Sequence, residues 1–288
     1  MANLKEIRNR ISSVSSTMQI TNAMKMVSAA KLKKAQDSIV AMRPYSEKIS
    51  DLINKLIGLS DENLAHPLCI DRNNGKILII TITSNRGLCG AFNSNIVKTV
   101  LKKAKEFSDK KIDIISIGKV GKEGLSKKYQ ISQDQSSLFD NFTFENTSKI
   151  ANVLIKDFLD NKYEKVFITY NQFKNAATQI VKFEVLLPID PTKNLNKEKI
   201  NNNYIIEPSN NSILETLLPS SIRIKLFKSI RESFASEHGA RMTAMHKATD
   251  NAKDLRDQLR LTYNKARQAS ITSEILEIVS GAEALKND

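Results

Sequence analysis

Few residues in this 288-residue chain are of a type and spacing that could do chemistry. Ser84-Asn85-Arg86-Gly87-Leu88-Cys89-Gly90-Ala91-Phe92-Asn93 follows a β-branched run and precedes a helical pattern, which is where a phosphate-binding turn lies in a βα unit. It has neither the Gly-x-Gly-x-x-Gly spacing nor a Gly-Lys-Ser/Thr ending, so no lysine is placed to meet a phosphate. The bland reading is a tight turn in which glycine supplies backbone freedom. Gly118-Lys119-Val120-Gly121-Lys122-Glu123-Gly124 also follows a strand pattern, but no hydroxyl stands beside either lysine to hold magnesium, and it reads as a turn and a short helix. Cys89 as a nucleophile lacks a base, because His66 falls in a linker and His238 and His246 on a long helical pattern. Cys69 and Cys89 form no Cys-x-x-Cys and have no histidine pair nearby, which argues against a disulfide framework and a zinc site. His238 and His246 are two helical turns apart, beyond the i, i+4 spacing that lets two imidazoles share a metal. No cofactor and no metal is expected.

The elements that carry these residues announce themselves by periodicity. From Leu4 the spacing Leu4, Ile7, Ile11, Val14, Met18, Thr21, Lys25, Ser28, Leu32, Ala35, Ile39, Met42 alternates steps of three and four, a heptad seam. Residues 4–57 hold no glycine and one breaker, Pro44, which predicts a kink or a split at Arg43. The C-terminal pattern repeats the grammar through Ile224, Phe227, Arg231, Phe234, His238, Arg241, Met245, Ala248, Ala252, Leu255, Leu259, Thr262, Ala266, Ala269, Ser273 and Leu276. Two helices of about 80 and 110 Å are predicted. Arg241 in such a seam needs a carboxylate or carbonyls, from the mate helix or from another chain. Met24 and Met26, near Met18, are either core filler or a soft binding patch.

Between the long helices, the β-branched runs 76–83, 111–117, 165–170 and 179–187 alternate with helical patterns at 93–107 and 147–159. The predicted fold class is α/β: a long antiparallel coiled coil of the N- and C-terminal helices with an inserted open, Rossmann-like α/β domain. Its expected divisions are 1–58, 59–208 and 209–288, with a Pro-, Asn- and Lys-rich loop over 190–211. The C-terminal helix is the longer, so residues from about 267 onward should lack an intrachain mate. That end reads Ile271, Ile275, Leu276, Ile278, Val279, Ala282, Leu285, apolar on more than one face, which implies that another protein surrounds it.

Composition narrows the partners. Forty-four basic against 31 acidic residues give a net charge of +13, which calls for an anionic partner. No apolar run reaches the ~18 residues of a membrane span, and the charged N-terminus is unlike a secretory signal. A protein placing an α/β hinge between two coiled-coil arms that organise DNA is one reading, although such arms lead to ATPase heads. A nucleotide-dependent enzyme is another, weakened by the missing phosphate loop.

Several motifs together carry a resemblance. Ile7-Arg8, then Ile20-Thr21-Asn22-Ala23-Met24-Lys25-Met26-Val27 and Arg43-Pro44-Tyr45, then Arg86-Gly87-Leu88-Cys89-Gly90, and finally Tyr263-Asn264-Lys265-Ala266-Arg267-Gln268-Ala269-Ser270-Ile271-Thr272 with Glu274, Glu277 and Gly281-Ala282, are similar to the gamma subunit family of F-type ATP synthases over nearly the whole length. The resemblance implies a non-catalytic rotor shaft turning inside a ring of alpha and beta subunits, with its foot on the c-subunit ring and the epsilon subunit. It implies no nucleic acid partner, and attachment through the complex to the cytoplasmic face of the cell inner membrane. Carried over position by position, it implies beta-subunit contacts for Met24, Arg241, Gln268, Thr272 and Glu274, and c-ring or epsilon contacts for Tyr204 and Glu207. On that basis Arg241→Ala is expected to impair assembly more than the stability of the free chain. Pro219, where the family continues its helix, predicts a bend there, and Lys25 replaces a commoner glutamate.

Overall fold

The computed structural model describes residues 4–58, 66–189, 207 and 209–284. Tyr204, Leu285 and nearly all of the predicted 190–211 loop lie outside them. The elements in chain order are helix α1 (Leu4–Gly58), strand β1 (Lys76–Ile82), α2 (Phe92–Glu106), β2 (Lys111–Ile117), α3 (Lys119–Leu125), β3 (Gln130–Asp134), a 3-10 turn (Ser136–Phe139), α4 (Phe144–Leu159), β4 (Lys165–Phe173), β5 (Gln179–Leu187) and α5 (Asn210–Ala284). Both long helices run through their prolines as single elements, so Pro44 does not split α1 and Pro219 does not interrupt α5. The chain divides into two compact units, residues 28–241 and the pair of segments 1–27 and 242–288.

The 28–241 unit is built on one sheet ordered β3-β2-β1-β4-β5, parallel except for the antiparallel edge strand β5. Strand β1 is buried on both faces, as its unbroken apolar run KILIITI requires. Ile77 and Ile79 point to one side and meet Ile96 and Val100 of α2 and Leu125 of α3. Leu78, Ile80 and Ile82 point to the other, into the larger core with Leu154 and Phe158 of α4, Ile53 of α1 and Leu226 and Ile230 of α5. The 3-10 turn and β3 are the parts that the sequence reading misses. Strand β3 is short, at an edge, and reads QISQD with little apolar content, so neither propensity nor alternation marks it strongly.

The remaining unit is an antiparallel helix pair. Tyr263 lies opposite Arg8 and Thr249 opposite Thr21. Every predicted seam residue of α1 from Leu4 to Met42 is buried or half-buried. The α5 seam needs two corrections. Within the 28–241 unit, Phe227, Arg231 and Phe234 meet Phe139, Phe142 and Phe144 of the segment leading into α4: Phe142 and Phe227 ring centroids are 5.1 Å apart, and the Arg231 guanidinium lies 4.7 Å from the Phe142 ring. Bulky rings fill the gap left by a loop better than the narrow seam of two helices. Further on, Met245, Ala252, Leu259 and Ala266 hold the seam as predicted, but the alternating position is Thr249, Arg256, Tyr263, Ser270, four residues on instead of three. Leu255 and Thr262 are exposed. Arg256 and Tyr263 win because each can bury its stem or ring while its polar end reaches out, Arg256 toward the Met18 sulfur at 3.7 Å.

Candidate functional site: the glycine turn and the paired helix ends

Strand β1 ends at Ile82, and the chain passes through Thr83-Ser84 and turns through Arg86 to Gly90 before entering α2. Two left-handed residues make the turn, Leu88 at φ 61° and Gly90 at φ 60°. Buried side chains fix it from within. The Ser84 backbone amide donates to Asn93 Oδ1 at 2.9 Å, and Asn93 Nδ2 donates to Ser84 Oγ at 2.8 Å and to Cys89 Sγ at 3.2 Å. Burial pushes the Cys89 thiol up, so it stays protonated and poorly nucleophilic.

The turn presents carbonyls, the reverse of the amide cradle that binds phosphate. Arg241 of α5 donates from Nη2 to the carbonyls of Arg86 at 2.9 Å and Gly87 at 3.2 Å, and from Nη1 to Glu237 Oε1 at 2.6 Å. Among the described residues its expected carboxylate and carbonyls are not drawn from the mate helix. They come from its own helix one turn earlier and from the glycine turn. The Glu237–Arg241 spacing of four is visible in the sequence, whereas backbone carbonyls carry no sequence signal. Burial outweighs the guanidinium and raises the Glu237 carboxyl. Beside them His238 is buried against Phe234 at a ring-centroid distance of 4.5 Å, with neither ring nitrogen hydrogen-bonded among the described residues. Burial, with Arg241 and Lys31 adding to it, pulls its imidazole down to about 3, so it is neutral at pH 7.

The second glycine segment is a turn and short helix. A Cβ on Gly118, at φ 120°, would stand 2.2 Å from the Thr83 carbonyl oxygen, and the Gly121 amide donates to Thr83 Oγ1 at 2.9 Å. Its glycines let α3 close onto the end of β1.

In the paired-helix unit, Met24 is half-buried on α1, while Met26 and Val27 beside it are more than half exposed. Gln268, Thr272 and Glu274 are exposed on α5. Gln268 and Thr272 stack one turn apart, with the Thr272 hydroxyl donating to the Gln268 carbonyl at 2.9 Å, and Glu274 lies about 120–160° around the helix from them. Among the described residues from 271 to 282, all are exposed, including Ile271, Ile275, Leu276, Ile278 and Val279, which span about 160° of the helix surface. Of the two residues expected at the foot, Glu207 is exposed and Tyr204 lies outside the described residues. The Arg8–Tyr263 and Glu237–Arg241 pairs are the contacts that sequence reasoning did not assemble, although three of these four residues stood in motifs or seams already singled out.

Comparison with known proteins follows the same lines. The family model described as ATP synthase matches residues 3–285. The gamma chain of ATP synthase from Flavobacterium psychrophilum is 58% identical, covering 99% of this chain and 100% of that one, and the gamma chain from Cytophaga hutchinsonii is 44% identical with both chains fully covered. A chain of the Tetrahymena thermophila mitochondrial ATP synthase, from its central stalk and c-ring, superposes with a TM-score of 0.58 at 26% identity over 80% of this chain and 99% of that one. A chain of the Euglena gracilis mitochondrial enzyme shares the fold, with a TM-score of 0.68 at 22% identity over 98% and 94%. The DNA-organising alternative finds no support in these matches. With the family model matched over residues 3–285 and a relative 58% identical over 99% of its length, the chain belongs to the ATP synthase gamma-chain family.

Proposed function

We propose that the chain is the central rotor shaft of an F-type ATP synthase, coupling ion flow through the c-subunit ring to ATP synthesis or hydrolysis at the beta subunits. The observation that carries this is the apolar end of α5, uncovered from Ile271 to Val279, which in water is stable only inside a sleeve of other subunits. The shaft does no bond chemistry. Its circumference is uneven, with apolar residues over less than half, Gln268 and Thr272 stacked on one side and Glu274 on another. A turn of the shaft therefore changes which contacts each beta subunit makes and shifts its conformational equilibrium and nucleotide affinity.

In this reading Met24, Gln268, Thr272 and Glu274 meet beta-subunit loops, and Tyr204 and Glu207 meet the c ring and the epsilon subunit. Arg241 contributes indirectly, by holding the turn that exposes Arg86 and Leu88. The shaft sits at the cytoplasmic face of the inner membrane through its partners. Among the described residues no helix is long and apolar enough to cross a membrane. The test is reconstitution with a chain ending at Ser270. Gradient-driven ATP synthesis should fall several-fold while the c ring and beta subunits stay competent, and undiminished synthesis would remove the tip from the mechanism.

A further inference from the structure

We propose that Arg8 and Tyr263 are positioning residues, a staple that fixes the register of the two shaft helices and so the angle at which the polar tip residues are presented. The inference rests on the rotor reading and adds which residues keep the shaft from slipping.

The seam of the paired-helix unit is built largely of small and polar groups. Thr21, Lys25, Ala252, Ala266 and Ser270 occupy positions where a stable two-helix seam would carry leucine or isoleucine. Apolar contact is non-directional, and a weak apolar seam resists sliding or counter-rotation of its helices poorly. Hydrogen bonds are directional and fail within a fraction of an ångström to an ångström of displacement. The described cross-helix contacts of this unit include three that involve polar groups, and on α5 they recur every seven residues: the Thr249 hydroxyl donates to Thr21 Oγ1 at 2.8 Å, Arg256 reaches the Met18 sulfur, and Arg8 Nη2 donates to the Tyr263 hydroxyl at 2.8 Å.

Arg8–Tyr263 stands apart for two reasons. The guanidinium also lies over the Tyr263 ring, 5.8 Å from its centroid, so one pair combines a directed hydrogen bond with a cation–π contact. It is also the last of the three before the uncovered end: Ala266 and Ser270 are half-buried, and beyond them the helix is exposed. Gln268 follows Tyr263 by little more than a turn. Whatever angle the staple sets between α1 and α5 is the angle between Met24 on one helix and Gln268 and Thr272 on the other. A shaft delivering torque to three beta subunits needs that angle constant under load.

The test uses the assembled complex and reads protons pumped per ATP hydrolysed. Arg8→Glu and Tyr263→Ala should each lower that ratio about two- to fivefold, the worth of an exposed cation–π contact with its hydrogen bond. The double variant should be no worse than the poorer single. Tyr263→Phe, which keeps the ring and loses only the hydroxyl acceptor, should fall between. Arg8→Glu combined with Tyr263→Arg restores an attractive pair in reversed order and should recover most of the ratio, a rescue that a merely structural role would not give. A swap no better than Arg8→Glu alone, or strictly additive singles, overturns the staple. If Arg8→Glu does not enter the complex, hydrogen exchange on the free chain decides: protection across 4–21 lost in the single variant and regained in the swap supports the proposal, and unchanged protection overturns it. That second readout does not depend on rotary function, so a failure of the staple is distinguishable from a failure of the rotor reading.

Discussion

Arg241 is where the structure most changes the reading of a residue. With its guanidinium buried between Glu237 and two carbonyls, removing it strands a buried carboxylate and uncaps the glycine turn. Arg241→Ala should therefore destabilise the free chain by about 3 kcal/mol or more, read from the urea midpoint, the reverse of the expectation that assembly would suffer more than stability. Arg241→Lys should rescue little of this, because one ammonium cannot serve acceptors on both sides at once. A loss under about 0.5 kcal/mol would mean that the turn holds itself. His238 supplies a pH signature. Its folded pKa of about 3 lies below the unfolded value of 6.5, so in that window the unfolded chain binds a proton that the folded chain does not. Stability is complete above that window and falls as pH falls through it, by at most about 1.4 kcal/mol per pH unit. Glu237, with its carboxyl raised, binds a proton more readily in the fold and makes the slope shallower. His238→Gln should flatten the dependence of the unfolding midpoint, and an unaltered slope would place the acid sensitivity elsewhere. Glycines divide in the same way. Gly118→Ala meets Thr83 backbone in a left-handed conformation and should cost about 3 kcal/mol or more. At Gly87, with open space around an added Cβ and no positive φ, alanine should cost about 0.5 kcal/mol or less.

At the scale of the element, the free end of α5 offers the sharpest expectation. A helical end with no mate is marginal in water, so amides from Ile271 to Ala284 should exchange at near random-coil rates in the free chain. They should slow by orders of magnitude in the assembled enzyme, while those around Ala252 are protected in both. Equal protection at the two places in the free chain would show that the end finds cover on its own. The shifted seam has its own check: Leu255 is 47% exposed, so Leu255→Gln should change stability by about 0.5 kcal/mol or less. A loss of several times that would return Leu255 to the seam.

For the whole molecule the expectation is chemical silence. The carbonyl-lined turn and the short α3 segment give ATP no cradle, so calorimetry on the isolated chain should detect no micromolar ATP binding. Tight binding abolished by changing Gly87 or Gly121 would revive the enzyme reading. The net charge of +13 adds a second whole-chain property, since association with acidic partner surfaces should slow as salt rises.

Periodicity made the long helices, their α1 seam and the unmated apolar end legible from residue types alone, because a heptad pattern is a local constraint repeated many times. The β-branched runs did the same for β1, β2, β4 and β5. What lay beyond the sequence shares one cause: it depends on atoms or neighbours without a local signature. Edge strand β3 exists because β2 offers it a partner. The aromatic residues of α5 were apolar at the right spacing, yet which surface they bury against was decided by where the 136–144 segment returns. Arg241 could be seen to need acceptors, but two of them are backbone carbonyls, which every residue has. Their position is a property of the folded turn and was decided only by tertiary structure.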